Sequence, residues 1–253
     1  MRDYYEGHLS GARLLECYRL APPRIQQYLD REIRFVLGRV RGARFVLELG
    51  CGYGRVMKRL APFVATIVGC DTSEESLRFA TSYLGSRRNW AVVRTDAART
   101  GFRAGMFDAT VCVQNGISAF GVDGGQLVAE AARITRGGGQ IVFSSYSPRI
   151  WQDRLAWFGE QARAGLIGPI DPSRTRDGTI VCTDGFRATT VDAGGFWRLF
   201  EGAGLSPELH EVDNSSLFCV AVKDADPQAL PPVRADSAHR PISLESGADS
   251  AAG

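Results

Sequence analysis

A chain of 253 residues with a formal charge of only +2 can bury one core of its own and carries no excess of positive charge for tracking a phosphate backbone. Its six cysteines, Cys17, Cys51, Cys70, Cys112, Cys182 and Cys219, show no CxxC or Cys/His pairing, which argues against a disulfide frame or a metal site and suits reduced, buried thiols. No stretch approaches the roughly 18 apolar residues of a membrane span, and the start "MRDYYEGHLS" lacks a basic-then-apolar leader, so a cytoplasmic protein with no membrane or nucleic-acid partner is expected.

Taken in chain order, Ser10 can cap a helix that runs to about Leu20. Pro22 and Pro23 then open a second helix, with apolar residues at Ile25, Leu29, Ile33, Val36 and Leu37. "RFVLEL" reads as the first strand and "GRVMKRLAP" as a helix stopped by Pro62; "ATIVGCD", a helix over "SEESLRFATSYLG", and the strand "WAVVRTD" follow. Next come the strand "FDATVCVQ", the helix "GGQLVAEAARITRGGG" with a glycine stop, and the strand "QIVFSSYS". The helix "GGFWRLFEGAGL" and the strands "PELHEVD" and "LFCVAVK" complete the alternation, which predicts a mostly parallel sheet with helices on both faces.

Two pieces stand outside that alternation. An aromatic helix over 148–168 and a hairpin turned at Asp184-Gly185 form an insertion over 148–191. Residues 224–253 are rich in Pro, Ala, Ser and Asp and are expected to be disordered. The expected organisation is an N-terminal helical lid over 1–43, a main domain over 44–223 that contains the insertion, and the tail.

The segment "FVLELGCGYGRV" carries the chemistry. Ligands of open parallel sheets bind beyond the carboxyl ends of the strands, and the first strand-to-helix turn is the usual place. A dinucleotide would need G-x-G-x-x-G; here Gly50, Gly52 and Gly54 alternate with Cys51 and Tyr53, and Glu48 sets a negative charge where phosphates would lie. A ligand with a cationic amine and a sulfonium but no phosphate suits that carboxylate, as S-adenosylmethionine does. Asp71 ends the second strand, where it can accept from both ribose hydroxyls, and Asp96 ends the third, where it can accept from the adenine amino group.

With "LELGCGYG", "GCDTSEESL", "RTDAAR", "FDATVCVQNGISAF" and "ARITRGGGQIVFSSY" in this order, the chain resembles the class I S-adenosylmethionine-dependent methyltransferases from about Arg44 to Lys223. The resemblance implies a Rossmann-like α/β fold with a seven-stranded sheet of order 3-2-1-4-5-7-6 and an antiparallel seventh strand. It also implies that Glu48 and the loop of Gly50, Cys51, Gly52 and Gly54 hold the methionine part, Asp71 and Thr72 the ribose and the adenine edge, and Asp96 and Ala97 the adenine. Gln114 and Asn115 would face the sulfonium end.

The place after strand four reads "QNGIS", without the prolines of base- and glutamine-methylating relatives and without the Pro-Cys of cytosine enzymes. A small-molecule acceptor, methylated at nitrogen or oxygen, is therefore expected, with a protein or RNA methyltransferase or a non-catalytic S-adenosylmethionine-binding protein as alternatives. The lid and the aromatic insertion would roof a small pocket, with Tyr5 turned toward the methionine end of the cofactor; Tyr4 and Tyr5 packed on the second helix is the plainer alternative. Among three histidines, His8 is the candidate base, His210 reads as structural and His239 lies in the tail; Tyr146 is a comparable candidate for holding the acceptor. The protein is expected to be a monomer or a homodimer.

Overall fold

The computed structural model of the chain describes residues 2–225, so the expectation of a disordered tail concerns residues that lie almost entirely outside it. Seven strands form one sheet: β1 (Phe45–Leu49), β2 (Thr66–Asp71), β3 (Trp90–Arg94), β4 (Phe107–Cys112), β5 (Thr135–Tyr146), β8 (Glu208–Val212) and β9 (Ser216–Val222). Between β5 and β8, β6 (Ile180–Val181) and β7 (Arg187–Ala188) make a separate small hairpin. The order across the large sheet is β3-β2-β1-β4-β5-β9-β8, with β9 antiparallel to both of its neighbours, as the sequence implies.

Nine α-helices, α1 (Arg2–Gly7), α2 (Gly11–Arg19), α3 (Pro23–Val40), α4 (Arg55–Leu60), α5 (Glu74–Leu84), α6 (Gly116–Ala119), α7 (Gly124–Ile134), α8 (Trp151–Arg163) and α9 (Ala193–Gly202), and two short 3-10 turns at Ala61–Phe63 and Pro148–Ile150 complete the described residues. They build two cores against the sheet. On one face α3, α4 and α5 bury Ile33, Val36, Met57 and Leu77; on the other α7 and α9 bury Leu127, Val128, Phe196 and Phe200. The central strands β1 and β4 are nearly all apolar because both of their faces are covered.

A third core takes only Tyr146, at the end of β5, from the seven-stranded sheet. Leu9, Cys17, Ile25 and Tyr28 from the N-terminal helices pack with Trp157, Phe158, Ile180 and Phe186 from the insertion. The helix α3 joins the two regions, its first turns in this third core and its later turns on the sheet.

Three local expectations change. Ser10 sits at the N-cap of α2 but makes no capping bond: its hydroxyl donates to Glu75 Oε2 at 2.6 Å, and Ser76 Oγ accepts from the free N–H of Gly11 instead. The glycines of "ITRGGG" do not stop a helix in open solvent. Helix α7 ends at Ile134 and β5 starts at once, because Gly138 donates to the Lys223 carbonyl and Lys223 to that of Gly139. Finally, β3 ends at Arg94, two residues short of Asp96.

Candidate functional site

The glycine loop is held down by pairing beneath it. Cys51 N–H donates to the Cys70 carbonyl at 2.9 Å, and β1 runs beside β2 with Glu48 opposite Gly69. A Cβ on Gly69 would meet Met57 Sδ at 2.4 Å and Cys51 Sγ at 2.7 Å, so only glycine lets the loop lie this close to β2. Gly50 and Gly52 take positive φ values of 69° and 52°, which turns the loop over the end of β1. Protein side chains already use the space these glycines leave: the ring of Phe120 comes over Gly50, and Leu14 of α2 over Gly52.

Asp71 closes the same turn. Its Oδ2 accepts from the N–H of Gly52 and its Oδ1 from that of Ser73, each at 2.8 Å. The cap of α5 is Ser73, whose hydroxyl accepts from Ser76 N–H, so Asp71 is spared that task and keeps lone pairs toward the pocket. Asp96 accepts from the N–H of Ala98 at 2.9 Å. Burial raises the pKa of Asp71 despite its backbone donors.

Glu48 is the least settled acid of the three. It is 4% exposed, and its Oε2 is buried with no hydrogen-bond partner among the described residues. Burial pushes its carboxyl up to about 8, opposed by the charge of Arg55 and a backbone N–H at Met57, and reinforced by Asp71 and Glu32. An ammonium group at this oxygen would supply the missing partner and hold the carboxyl ionised. On that observation the residues present fit the amino-acid end of S-adenosylmethionine.

One cavity joins these groups to the third core. Glu48, Cys51, Asp71, Thr72, Asp96 and Ala97 line it on the side of the strand ends, and Tyr5, Tyr18, Tyr146, Trp157, Phe158 and Phe186 on the side of the insertion. Gln114 lies between. It has φ of 55°, its Oε1 accepts from Tyr18 Oη at 2.7 Å and from Arg55 Nη2 at 2.5 Å, and its N–H donates to Glu32 and Ser144.

Two expected site residues are elsewhere. His8 follows the last residue of α1, is exposed, stacks on Tyr4 and does not line the cavity. Asn115 is buried but committed: its amide donates to the Thr189 carbonyl and accepts from Ser145 Oγ, each at 2.7 Å, which ties the β4 loop to β5 and to the end of the insertion. Tyr5 lines the cavity, but against Phe186 and within the electrostatic reach of Tyr146 and Tyr18, on the insertion side. Tyr4 and Tyr5 both meet the ring of Phe186 in the insertion, and both pack against the third core, to which α3 contributes Ile25, Tyr28 and Leu29. His210 lies on β8 beside Arg39 and Glu208, away from the cavity.

Arg55, which the sequence analysis passed over, points into the cavity. Its guanidinium lies 4.6 Å from the centre of the Tyr18 ring and within the fields of Glu48 and Glu32. The available signal is its place directly after the last loop glycine, where the following helix must begin against the pocket. Among the described residues no group of His, Cys, Asp and Glu is arranged to hold a metal ion, and no helix is long and apolar enough to cross a membrane.

Comparison with known proteins agrees with this arrangement. Residues 46–139 match a family described as a methyltransferase domain. A ubiquinone biosynthesis O-methyltransferase of Thiobacillus denitrificans (strain ATCC 25259 / T1) is 30% identical over 119 residues, which cover 46% of this chain; the chain thus spans about half the length of that relative. Among solved structures, magnesium protoporphyrin IX methyltransferase of Synechocystis PCC 6803 with S-adenosylhomocysteine bound is 18% identical, with a TM-score of 0.59 over 88% of this chain and 98% of that one. The N-methyltransferase NodS of Bradyrhizobium japonicum WM9 in complex with S-adenosylhomocysteine is 16% identical, with a TM-score of 0.51 over 83% and 98%.

Proposed function

Since this chain carries a class I S-adenosylmethionine-dependent methyltransferase domain, we propose that it transfers a methyl group to a nitrogen or oxygen of a small molecule held beneath the N-terminal helices and the insertion. The observation that carries the reading is the cavity itself. It runs from the glycine loop and its acids to an aromatic end roofed by α1, α2 and α8, a shape made for a small, flat or apolar acceptor and not for a polymer strand. The relative described as a ubiquinone biosynthesis O-methyltransferase supports the same class.

When bound, S-adenosylmethionine supplies a methyl carbon already activated by a positive sulfur. The chain's own residues have to hold and align. Asp71, its oxygens fixed by Gly52 and Ser73, offers its remaining lone pairs to the ribose hydroxyls. Asp96 and Ala97 border the adenine, Glu48 takes the ammonium, and Arg55 stands ready for the carboxylate. Gln114, clamped by Tyr18 and Arg55, forms the floor between the two ends of the cavity. Alignment carries much of such a transfer, so a rigid aromatic end that orients the acceptor and excludes water is the main catalytic device.

The test is to incubate the protein with methyl-labelled S-adenosylmethionine and a cell extract, and to separate small products from macromolecules. Label in the small-molecule fraction is expected. Label confined to protein or RNA would overturn the small-molecule reading, and absence of any label would indicate a binding protein without turnover.

A further inference from the structure

Beneath the aromatic end of the cavity lies a buried polar cluster for which neither packing nor cofactor binding accounts. Tyr146, at the end of β5, lines the cavity; its ring centre is 5.3 Å from that of Tyr28 on α3, and on its other side the guanidinium of Arg154 lies 4.3 Å away. Glu32 is one turn along α3 from Tyr28, on the same face, and is fully buried. Its Oε1 accepts from Ser144 Oγ at 2.5 Å and from Gln114 N–H at 3.0 Å. Its Oε2, the Tyr28 hydroxyl and Arg154 Nε are all buried and make no hydrogen bond of ordinary geometry among the described residues, although the Tyr28 hydroxyl lies close enough to both Glu32 and Tyr146 to favour their ionised forms. Three such atoms around one pocket-lining tyrosine call for a functional reason, because each is costly to leave unpaired.

We propose that Glu32 is the resting place of the proton that the acceptor loses on methylation, reached from the cavity through Tyr146 and Tyr28. The idea rests on the methyl-transfer reading above. In the step, the acceptor's O–H or N–H bond breaks and its proton passes to the Tyr146 oxygen, while Tyr146 gives its own proton to Tyr28 and Tyr28 gives its own to Glu32. The acceptor's electron pair forms the bond to the methyl carbon, and the carbon–sulfur pair stays on sulfur. A sulfonium charge and a carboxylate charge therefore disappear together, and the buried site ends neutral.

The surroundings suit this role. Burial raises the pKa of Glu32, which makes it a stronger proton acceptor than a surface carboxylate; Ser144, Gln114 N–H and the charge of Arg55 keep it ionisable. The titratable groups around it are Arg55, Glu48, Tyr18, Tyr28, Tyr146 and Cys112. Arg154, which donates to the carbonyls of Gly178 and Ala188 and has no carboxylate against it among the described residues, stabilises negative charge on the Tyr146 oxygen while the proton passes.

The test needs no acceptor. Calorimetric titrations with S-adenosylmethionine and with S-adenosylhomocysteine, each in two buffers of different ionisation enthalpy, give the protons exchanged on binding. Both ligands carry the same ammonium, so the exchange it drives at Glu48 cancels in the comparison, and Glu32→Gln separates what the sulfonium does at Glu32 from what it does at Glu48. The neutral thioether should take up more protons than the sulfonium, by up to about one near neutral pH. Glu32→Gln should abolish the difference. Ser144→Ala, which keeps the carboxyl but removes a hydrogen bond to its ionised form, should move the pH midpoint of the difference upward, a change that a merely structural Glu32 would not give. By stopped flow with a pH indicator, proton uptake on S-adenosylhomocysteine binding should lag behind binding in Tyr28→Phe and keep pace with it in the wild type. Equal exchange by the two ligands, or a difference that survives Glu32→Gln, overturns the proposal while leaving the methyl-transfer reading intact; an uptake rate unchanged in Tyr28→Phe overturns the route. Failure of both ligands to bind contradicts the methyl-transfer reading, and the proposal falls with it.

Discussion

Glu48 enters the fold at a cost that pH can reveal. Its carboxyl is pushed from the usual 4.5 up to about 8, first by burial, so between those values the folded chain holds a proton that the unfolded chain has given up. Stability of the ligand-free protein should therefore fall as pH rises through that window, and the raised pKa values of Glu32 and Asp71 act in the same direction. Carried by Glu48 alone, the upper bound on the loss is about 5 kcal/mol. Glu48→Gln should melt close to the wild type at pH 5 and clearly above it at pH 8. Equal slopes of melting temperature against pH in the two proteins would show that the carboxyl is not buried in this way. Asn115 provides the contrast: losing its two buried hydrogen bonds in Asn115→Ala should cost about 2–4 kcal/mol of stability, read by denaturant unfolding. A variant as stable as the wild type would remove the structural role assigned to it.

Among the elements, the N-terminal pair α1 and α2 is tied on both flanks. Tyr4 donates to Asp184 in the insertion turn and Arg13 Nη2 to the carbonyl of Gly165, while Glu6 pairs with Arg94 at 3.5 Å and Ser10 reaches Glu75 on α5. These contacts span the cavity and lie mostly at its exposed rim, so each contributes little to stability alone. The segment is proposed to act as a lid. Removing residues 1–8, which leaves the buried Leu9 in place, should lower the melting temperature by only about 2–4 °C while weakening S-adenosylhomocysteine binding at least about tenfold. Full affinity in the truncated protein would sink the lid; a collapse in melting temperature would return the segment to the core.

At the scale of the whole molecule, the sheet was legible in the residues because alternation of strand and helix, a glycine loop and short apolar runs are local signals, and the order β3-β2-β1-β4-β5-β9-β8 follows from the family they resemble. The acids at the strand ends were legible for the same reason. The other wall of the cavity was not. Whether Asn115 is free or bound depends on Thr189 and Ser145, 74 and 30 residues away, and whether His8 faces the pocket or solvent depends on how the chain leaves a six-residue helix at Gly7. Nothing local in "YLDREI" and "QDRLAW" marks Glu32 and Arg154 as buried; Glu32 is covered where α3 meets Gln114 and Ser144, and Arg154 where α8 meets the carbonyls of Gly178 and Ala188.

The central claim is that the acids at the ends of β1 and β2 and just after β3 hold S-adenosylmethionine, and Asp71 tests it most directly. Titrating S-adenosylhomocysteine into the wild type by calorimetry should give one site per chain. In Asp71→Ala the loss of charge-assisted hydrogen bonds, worth about 1.5–3 kcal/mol each before water replaces part of them, should weaken that site about 10- to 100-fold in a protein that still folds. Binding by the folded variant within about threefold of the wild type would contradict the assignment of this cavity to the cofactor.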